Sequence, residues 1–312
     1  FESEEKIRDI LVSLGLQDTF AYRQTSEERE ARIYPASSAP AQRNYVRIKN
    51  PATPDRNVMR RNALATMLEL IEHNGSLVSG LAMFELGPVF LPVEGQLLPH
   101  EARRLSIGLT GEWQSPSWQP QRVQPMGFFD LKGIIEGLLE GLHVGDVRFE
   151  SANEPTFHPG RCARVLSANA LLGVMGEIHP LVRENYDFPL TPVLAAEFDL
   201  EALISAANLY FENKPIFAFP AVFEDIAVIV DEEASAANIL DEINKAGGKL
   251  LTSASLFDIY RDAKIGAGKK SMAYTLTYQA ADRTLTDKDA ETIRNRIVRA
   301  LKNKFGAVLR SV

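Results

Sequence analysis

One short run near the C-terminal end sets the tightest limit on the fold. Met272, Tyr274, Leu276 and Tyr278 alternate with Ser271, Ala273, Thr275 and Thr277. A period of two sends the large groups to one face of a strand and the small polar groups to the other. Such a strand belongs to a sheet that is covered on one side only. The flanking segments supply the rest of that sheet. Residues 226–230 and 256–260 read as strands, and 307–309 as a short edge strand. Ser235 caps a helix with Ile239, Leu240 and Ile243 on one side, closed by Gly247 and Gly248. Thr286 caps a second helix, with Asp289 completing a capping box. Its stripe is Ile293, Ile297 and Leu301, and Gly306 ends it. The order is β-α-β-β-α-β, the ferredoxin-like pattern, whose sheet has one face under helices and one free to bind.

The upstream segment reads differently. An opening helix has Ser3 as N-cap, Glu4 and Glu5 in its first turn, an apolar stripe of Ile7, Ile10, Leu11 and Leu14, and Gly15 as stop. A polar stretch with Pro35 and Pro40 leads to a strand at 45–48. The spacing of Leu64, Met67, Leu68 and Ile71 predicts a helix over 58–74, stopped by Gly75. Strands follow at 81–86 and 104–110, then a Gln/Pro/Trp-rich loop at 112–125 and a helix over 128–142. Further strands read at 164–167, 171–176 and 193–198. Strands mixed with flanking helices and no regular βαβ repeat place the chain in the α+β class. The expected division is a domain at 1–208, a linker at 209–214 and a second domain at 215–312.

Composition removes several alternatives. Of 312 residues, 45% are hydrophobic and 24% charged, as in ordinary globular proteins. Cys162 is the one cysteine, so no internal disulfide forms, and a reducing, cytoplasmic setting is expected. No run of 18 apolar residues exists, so no membrane-spanning helix is expected. The chain opens on Phe1, which suggests a piece of a longer protein. Charge is uneven: from Pro215 onward there are 14 Lys and Arg against 13 Asp and Glu, and before it 20 against 28. All 14 basic residues of the second part lie after Ile243, beside only 6 acidic ones. A locally basic module on an acidic protein points to a polyanionic partner or to a solvated helix face.

Candidate chemistry concentrates in residues 157–180, FHPGRCARVLSANALLGVMGEIHP. His158, Arg161, Glu177 and His179 resemble a site, yet no nucleophile with its base accompanies them. Arg161 reads as an anion ligand or, more simply, as a turn arginine bracing Glu177. The histidines and Cys162 lack zinc-ligand spacing. Gly266, Gly268, Lys269, Lys270 and Ser271 only faintly echo a phosphate loop, because the run enters a strand instead of a helix. It reads as a hairpin turn.

An ordered set of motifs spans nearly the whole chain. In the first part stand NPATPDRNVMR (50–60), FELGPVF (84–90), FFDLKG (128–133), HPGR (158–161) and GEIHP (176–180). In the second stand FPAVFEDIAVIVD (219–231), LFDIYRDAKIGAGKKSMAYTL (256–276) and DRTLTD (282–287). Together they resemble the C-terminal part of the bacterial phenylalanyl-tRNA synthetase β subunit. The resemblance implies a class II synthetase-like antiparallel core without activity, followed by a ferredoxin-fold anticodon-binding module. It implies a partner α subunit in an αβ heterodimer present in two copies, and tRNA. ATP and magnesium would serve the assembled enzyme and none is expected to bind this fragment. The chain departs from the family's pattern at Phe223 and Glu224, where an Arg often precedes the aspartate, and at Cys162.

Several residues can be assigned expected roles. Where catalytic relatives carry an Arg-bearing motif, residues 194–203 read LAAEFDLEAL, offering Glu197, Asp199 and Glu201, which would repel ATP. Arg261, Lys264, Lys269, Lys270 and Arg283 are the expected RNA contacts. Tyr274 and Tyr278 would stack on bases or lie under the helices. The cations of the last helix, Arg294, Arg296, Arg299, Lys302 and Lys304, suit phosphates or the helix dipole. The resemblance assigns Arg60, Leu64, Met67, Leu68 and Ile71 to the α-subunit interface. The leading expectation is a non-catalytic scaffold and tRNA-binding part of a phenylalanine–tRNA ligase. A stand-alone RNA-binding regulator and an amino-acid sensor are the alternatives.

Overall fold

The chain separates into two units, Phe1–Phe211 and Glu212–Val312. The computed structural model describes residues 2–38, 44–113, 118, 124–208, 210 and 217–310. Pro40, most of the Gln/Pro/Trp-rich loop and most of the expected linker lie outside the described residues.

The first unit runs α1 (Glu2–Ser13), β1 (Gln17–Asp18), β2 (Gln24–Thr25), α2 (Glu27–Ala31), β3 (Val58–Met59), α3 (Ala63–Asn74), β4 (Gly80–Leu91), β5 (His100–Gly111), α4 (Phe128–Gly141), β6 (Val147–Ser151), β7 (Phe157–Ser167), β8 (Ala170–Ile178), α5 (Pro180–Arg183), β9 (Val193–Asp199) and α6 (Leu200–Ala206). Seven strands form one sheet in the order β1-β4-β5-β9-β8-β7-β6. Every pairing is antiparallel except β1 with β4.

Helices cover both faces. On one side α1 and α4 bury Ile7, Leu11, Leu131, Ile135 and Leu138 against Leu105, Ile107 and Leu109 of β5. On the other, α3 buries Leu64, Met67, Leu68 and Ile71 against Met83, Ala195 and Val193. The α3 side is tightly packed. A Cβ on Gly108 would stand 2.8 Å from Ile71 Cδ1 and 2.9 Å from Met67 Cγ, so only glycine lets the helix sit there.

Two expectations are corrected. The helix expected over 58–74 begins at Ala63, because residues 58 and 59 pair with Gln24 and Thr25 in a two-stranded ribbon. Asn62 is its N-cap and accepts the Ala65 amide at 3.1 Å. The expected strand at 45–48 contributes a single bridge, Arg47 with Val58.

The second unit runs β10 (Val222–Asp231), α7 (Ala236–Gly247), β11 (Leu251–Tyr260), β12 (Lys269–Tyr278), α8 (Asp287–Phe305) and β13 (Val308–Leu309). Its sheet order is β11-β12-β10-β13, antiparallel throughout. Met272, Tyr274, Leu276 and Tyr278 all face α7 and α8 at 0% exposure. Thr286 and Asp289 form the expected capping box of α8. Gly266 and Gly268 take φ of +109° and +73° in the turn into β12, which requires glycine.

Candidate functional site

In the first unit, the α3 face of the sheet carries a row of polar residues instead of apolar ones. Glu85, Ser106 and Glu197 are direct cross-strand neighbours on β4, β5 and β9. Ser106 is two residues from Gly108, so it points to the same side, at the N-terminal end of α3. Arg60 enters from the chain before that helix. It is fully buried and donates to Glu85 Oε2 and Oε1 at 2.8 and 2.9 Å, to Thr66 Oγ1 at 3.0 Å and to Pro88 O at 2.9 Å. Gly87 makes the room: a Cβ there would be 2.3 Å from Arg60 Nη2.

Two carboxyls close the start of the helix. Glu197 Oε2 accepts the Ala63 and Leu64 amides at 2.9 and 3.1 Å. Glu30 Oε1 accepts the Arg61 and Asn62 amides at 2.5 and 3.1 Å. Burial pushes the Glu197 carboxyl above the usual range, against the pull of Arg104 and the two amides. Asp199 is also penalised by burial, yet the Ala202 amide and Arg104 hold it below the usual range. Asp199 caps α6 and pairs with Arg104, and Glu201 pairs with Arg103. All three acids of the 194–203 segment are therefore consumed within the chain.

This arrangement does not fit a nucleotide. The α3 amides that could meet phosphate already meet Glu197, and the Arg60 guanidinium is committed to Glu85, Thr66 and a carbonyl. Among the described residues no group of three or more His, Cys, Asp or Glu could hold a metal ion. The 157–180 cluster is likewise used up locally. Arg161 binds Glu177 at 2.7 Å, and His158 and His179 accept the Gly160 and Leu181 amides, each at 3.0 Å. His158 and Arg161 sit in an irregular stretch of β7, between the pairs Phe157–Ile178 and Cys162–Gly176.

The residues expected at the interface from the resemblance are buried in the chain itself: Arg60, Met67, Leu68 and Ile71 are 0% exposed and Leu64 is 4% exposed. Their side chains pack into the chain's own core. Exposed aromatics of that unit include Tyr210, Trp118 and Phe129, and also Phe20 at 79% and Tyr22 at 70%, the last two with Arg23 and Arg56 over their rings at 5.6 and 4.0 Å.

The second unit offers an open sheet face. On β10 it carries Phe223, Asp225, Ala227 and Ile229, and on β12 Ala273, Thr275 and Thr277, with Thr275 donating its hydroxyl to Asp225 at 2.7 Å and Ser271 buried at the strand's start. Ala227 faces Ala273 in register, which leaves a shallow floor at the centre. The Arg310 amide donates to Ala227 O at 2.8 Å, and the guanidinium lies 5.0 Å over the Tyr260 ring. Arg310 follows the edge strand β13 and Tyr260 ends the opposite edge strand β11. The arginine side chain must therefore cross β10 and β12, and the two alanines permit it. Tyr260 donates its hydroxyl to Asp262 at 2.9 Å, and that hydrogen bond raises its pKa, so the phenol stays neutral. Phe223 and Phe257 add exposed rings at 71% and 57%.

The expected RNA contacts fall around this face instead of on it. Arg261 is held by Glu232, Lys269 by Asp231 and Arg283 by Asp289. Lys270 is 9% exposed, pairs with the inward-facing Val230 position, and donates Nζ to Glu232 O at 2.7 Å. Lys264 is exposed, with its amide donated to Asp262. Tyr274 and Tyr278 cannot stack on bases, because both are fully buried. The cations without a carboxylate partner among the described residues include Lys288, Arg299 and Lys302 on the outer side of α8. Arg296 instead caps α7, donating to the Ala246 and Gly247 carbonyls. Tyr260 and Arg310 were missed as a pair. The available signal was the position of Tyr260 at a strand end beside a floor of small residues.

Comparisons with known proteins agree along the length of the chain. Residues 1–200 match the family model described as the phenylalanyl tRNA synthetase beta chain CLM domain. Residues 218–310 match the ferredoxin-fold anticodon binding domain. The phenylalanine–tRNA ligase beta subunit of Clostridium acetobutylicum is 37% identical over 98% of this chain and 37% of its own length. That of Symbiobacterium thermophilum is 37% identical over 97% of this chain and 34% of its own. That of Bacillus subtilis is 32% identical over 98% and 37%. This chain thus spans little more than a third of the relatives it matches. A solved pyrrolysyl tRNA synthetase from Desulfitobacterium hafniense aligns with TM-score 0.47 and 17% identity, covering 65% of this chain and 64% of that one.

Proposed function

The chain belongs to the phenylalanyl-tRNA synthetase β-chain family, and from that premise we propose that it is a non-catalytic part of a phenylalanine–tRNA ligase that scaffolds a catalytic α subunit and binds tRNA. The chemistry of joining phenylalanine to tRNA, with its ATP and magnesium, resides in the α partner, in an αβ heterodimer present in two copies. Residues 1–208 act as the scaffold, 209–214 as the joint and 215–312 as the RNA-binding module. The exposed Phe20 and Tyr22, with their stacked arginines, are the surface of the first unit best suited to a protein partner.

The Tyr260–Arg310 pair on the open sheet carries the RNA reading. An aromatic ring under a guanidinium, over a floor of alanines, provides a stacking platform with a built-in cation. A base slides between or beside the pair, over the alanine floor. The exposed cations of α8 add long-range attraction.

Two measurements test this. The chain alone gives no phenylalanine-dependent pyrophosphate exchange, and exchange by pure material overturns the reading. Pull-down from mixed subunits retains an α subunit together with tRNA. Retention of RNA without any α subunit would favour a stand-alone regulator instead.

A further inference from the structure

The open sheet of the second unit extends well beyond the Tyr260–Arg310 pair. Tyr260 lies in the row of Ser271 and Ile229, while Phe223 lies in the row of Thr277 and Ser253. Six positions of β10 separate the two rows, about 20 Å at the rise of a strand. One base cannot meet both rings. Next to Phe223 on the same face stands Asp225, which is exposed and forms no salt bridge among the described residues. Its Oδ1 accepts the Thr275 hydroxyl at 2.7 Å, and its Oδ2 accepts no hydrogen bond among the described residues. Arg310, the cation that crosses the face, lies at the other end, over the Tyr260 ring.

We propose that Phe223 and Asp225 form a second base subsite, which takes a base bearing an exocyclic amine and turns away uracil. The inference rests on the RNA reading of this face and adds what the face selects. Three features support it. Phe223 is 71% exposed in the middle of a paired strand, so its ring offers a stacking surface that the chain's own core leaves unused. An ionised carboxylate only accepts hydrogen bonds, so the free Asp225 oxygen suits the amino group of cytosine, adenine or guanine. Uracil instead presents one N–H flanked by two carbonyl oxygens, which a carboxylate repels. The same charge repels phosphates, so a strand on this end of the sheet must turn its bases inward and its backbone outward. Thr275 is a positioning residue: its donated hydroxyl holds Oδ1 and thereby aims Oδ2.

The test is fluorescence anisotropy of labelled cytidine and uridine decamers with the full 312-residue chain at one fixed salt concentration, each variant checked for folding by circular dichroism. The two probes differ at the base edge and share one backbone. The expected result is that the cytidine decamer binds at least about fivefold tighter than the uridine decamer. Asp225→Asn, whose amide can donate to a uracil carbonyl, brings the two affinities together. Thr275→Val lowers the preference for cytidine part of the way. Phe223→Ala weakens both decamers by about fivefold or more. Equal affinities in the parent chain, an Asp225→Asn chain that keeps the parent's preference, or a Phe223→Ala chain that binds as tightly as the parent overturns the subsite. If Tyr260→Ala still weakens binding in that event, the RNA reading of the face survives the failure. No binding of either decamer by the folded parent chain overturns both.

Discussion

The Arg60 guanidinium grips both oxygens of Glu85, at 2.8 and 2.9 Å, with the two side chains 0% and 3% exposed. An ion pair so deeply buried is costly to break from one side, because the partner left behind is an uncompensated charge. Arg60→Ala should therefore cost about 3–5 kcal/mol, and the Arg60→Met/Glu85→Leu pair much less than the sum of its single changes. Both tryptophans, Trp113 and Trp118, lie in the first unit, so their fluorescence during urea unfolding reports on it. An Arg60→Ala variant as stable as the parent chain would show that the pair contributes nothing.

Glu197 makes a prediction in pH. Its carboxyl is raised by burial, so the folded chain keeps that proton at pH values where the unfolded chain has lost it. The stability tied to that proton is complete below the unfolded value and is lost as pH rises through the raised folded value. Glu197→Gln keeps the acceptor for the Ala63 and Leu64 amides without ever charging. Its stability relative to the parent chain should climb as pH rises through that window and level off in acid. A difference that is flat with pH would show that Glu197 is not raised.

The start of α8 behaves in the opposite sense. Arg283 and the Thr286 amide and hydroxyl hold Asp289 well below the usual carboxylate range. Its contribution is present above the unfolded pKa and is lost as pH falls through the lowered folded one. Thr286→Ala removes the cap and should cost about 1 kcal/mol. Asp289→Asn should lower the thermal midpoint at neutral pH, with the difference closing in acid, as read by circular dichroism.

Much of this was written in the pattern of the sequence. The period-two run of β12 and the stripe of Ile293, Ile297 and Leu301 gave the second unit its strands, its helices and the side they bury, because packing there follows local periodicity. Periodicity reports burial without saying what buries. Leu64, Met67, Leu68 and Ile71 repeat as an interface seam would, yet they meet β4, β5 and β9 of the same chain. The sites were less legible for a related reason. Charge counts single out Lys269, Lys270 and Arg261, while the carboxylates and carbonyls that hold them become neighbours only when β10 pairs with β12. Glu197 and Ala63 are 134 residues apart, and no local signal joins them.

Charge on α8 should be separable from stacking on the sheet. Lys288, Arg299 and Lys302 rise along one side of the helix with no acid of their own to pair with among the described residues. If Arg299 and Lys302 each meet a phosphate, Arg299→Gln with Lys302→Gln lowers the slope of log affinity against log salt by about 1.5–2. An unchanged slope would remove α8 from the RNA contact.

The sheet face is tested most directly by ultraviolet crosslinking of tRNA to the chain in its assembled enzyme, with the modified residues mapped by mass spectrometry. The account predicts crosslinks at Tyr260, Phe223 and Phe257, and a loss of about 1–3 kcal/mol of tRNA affinity in Tyr260→Ala. Crosslinks that avoid the open face of β10, β11 and β12, with Tyr260→Ala binding as tightly as the parent chain, would contradict it.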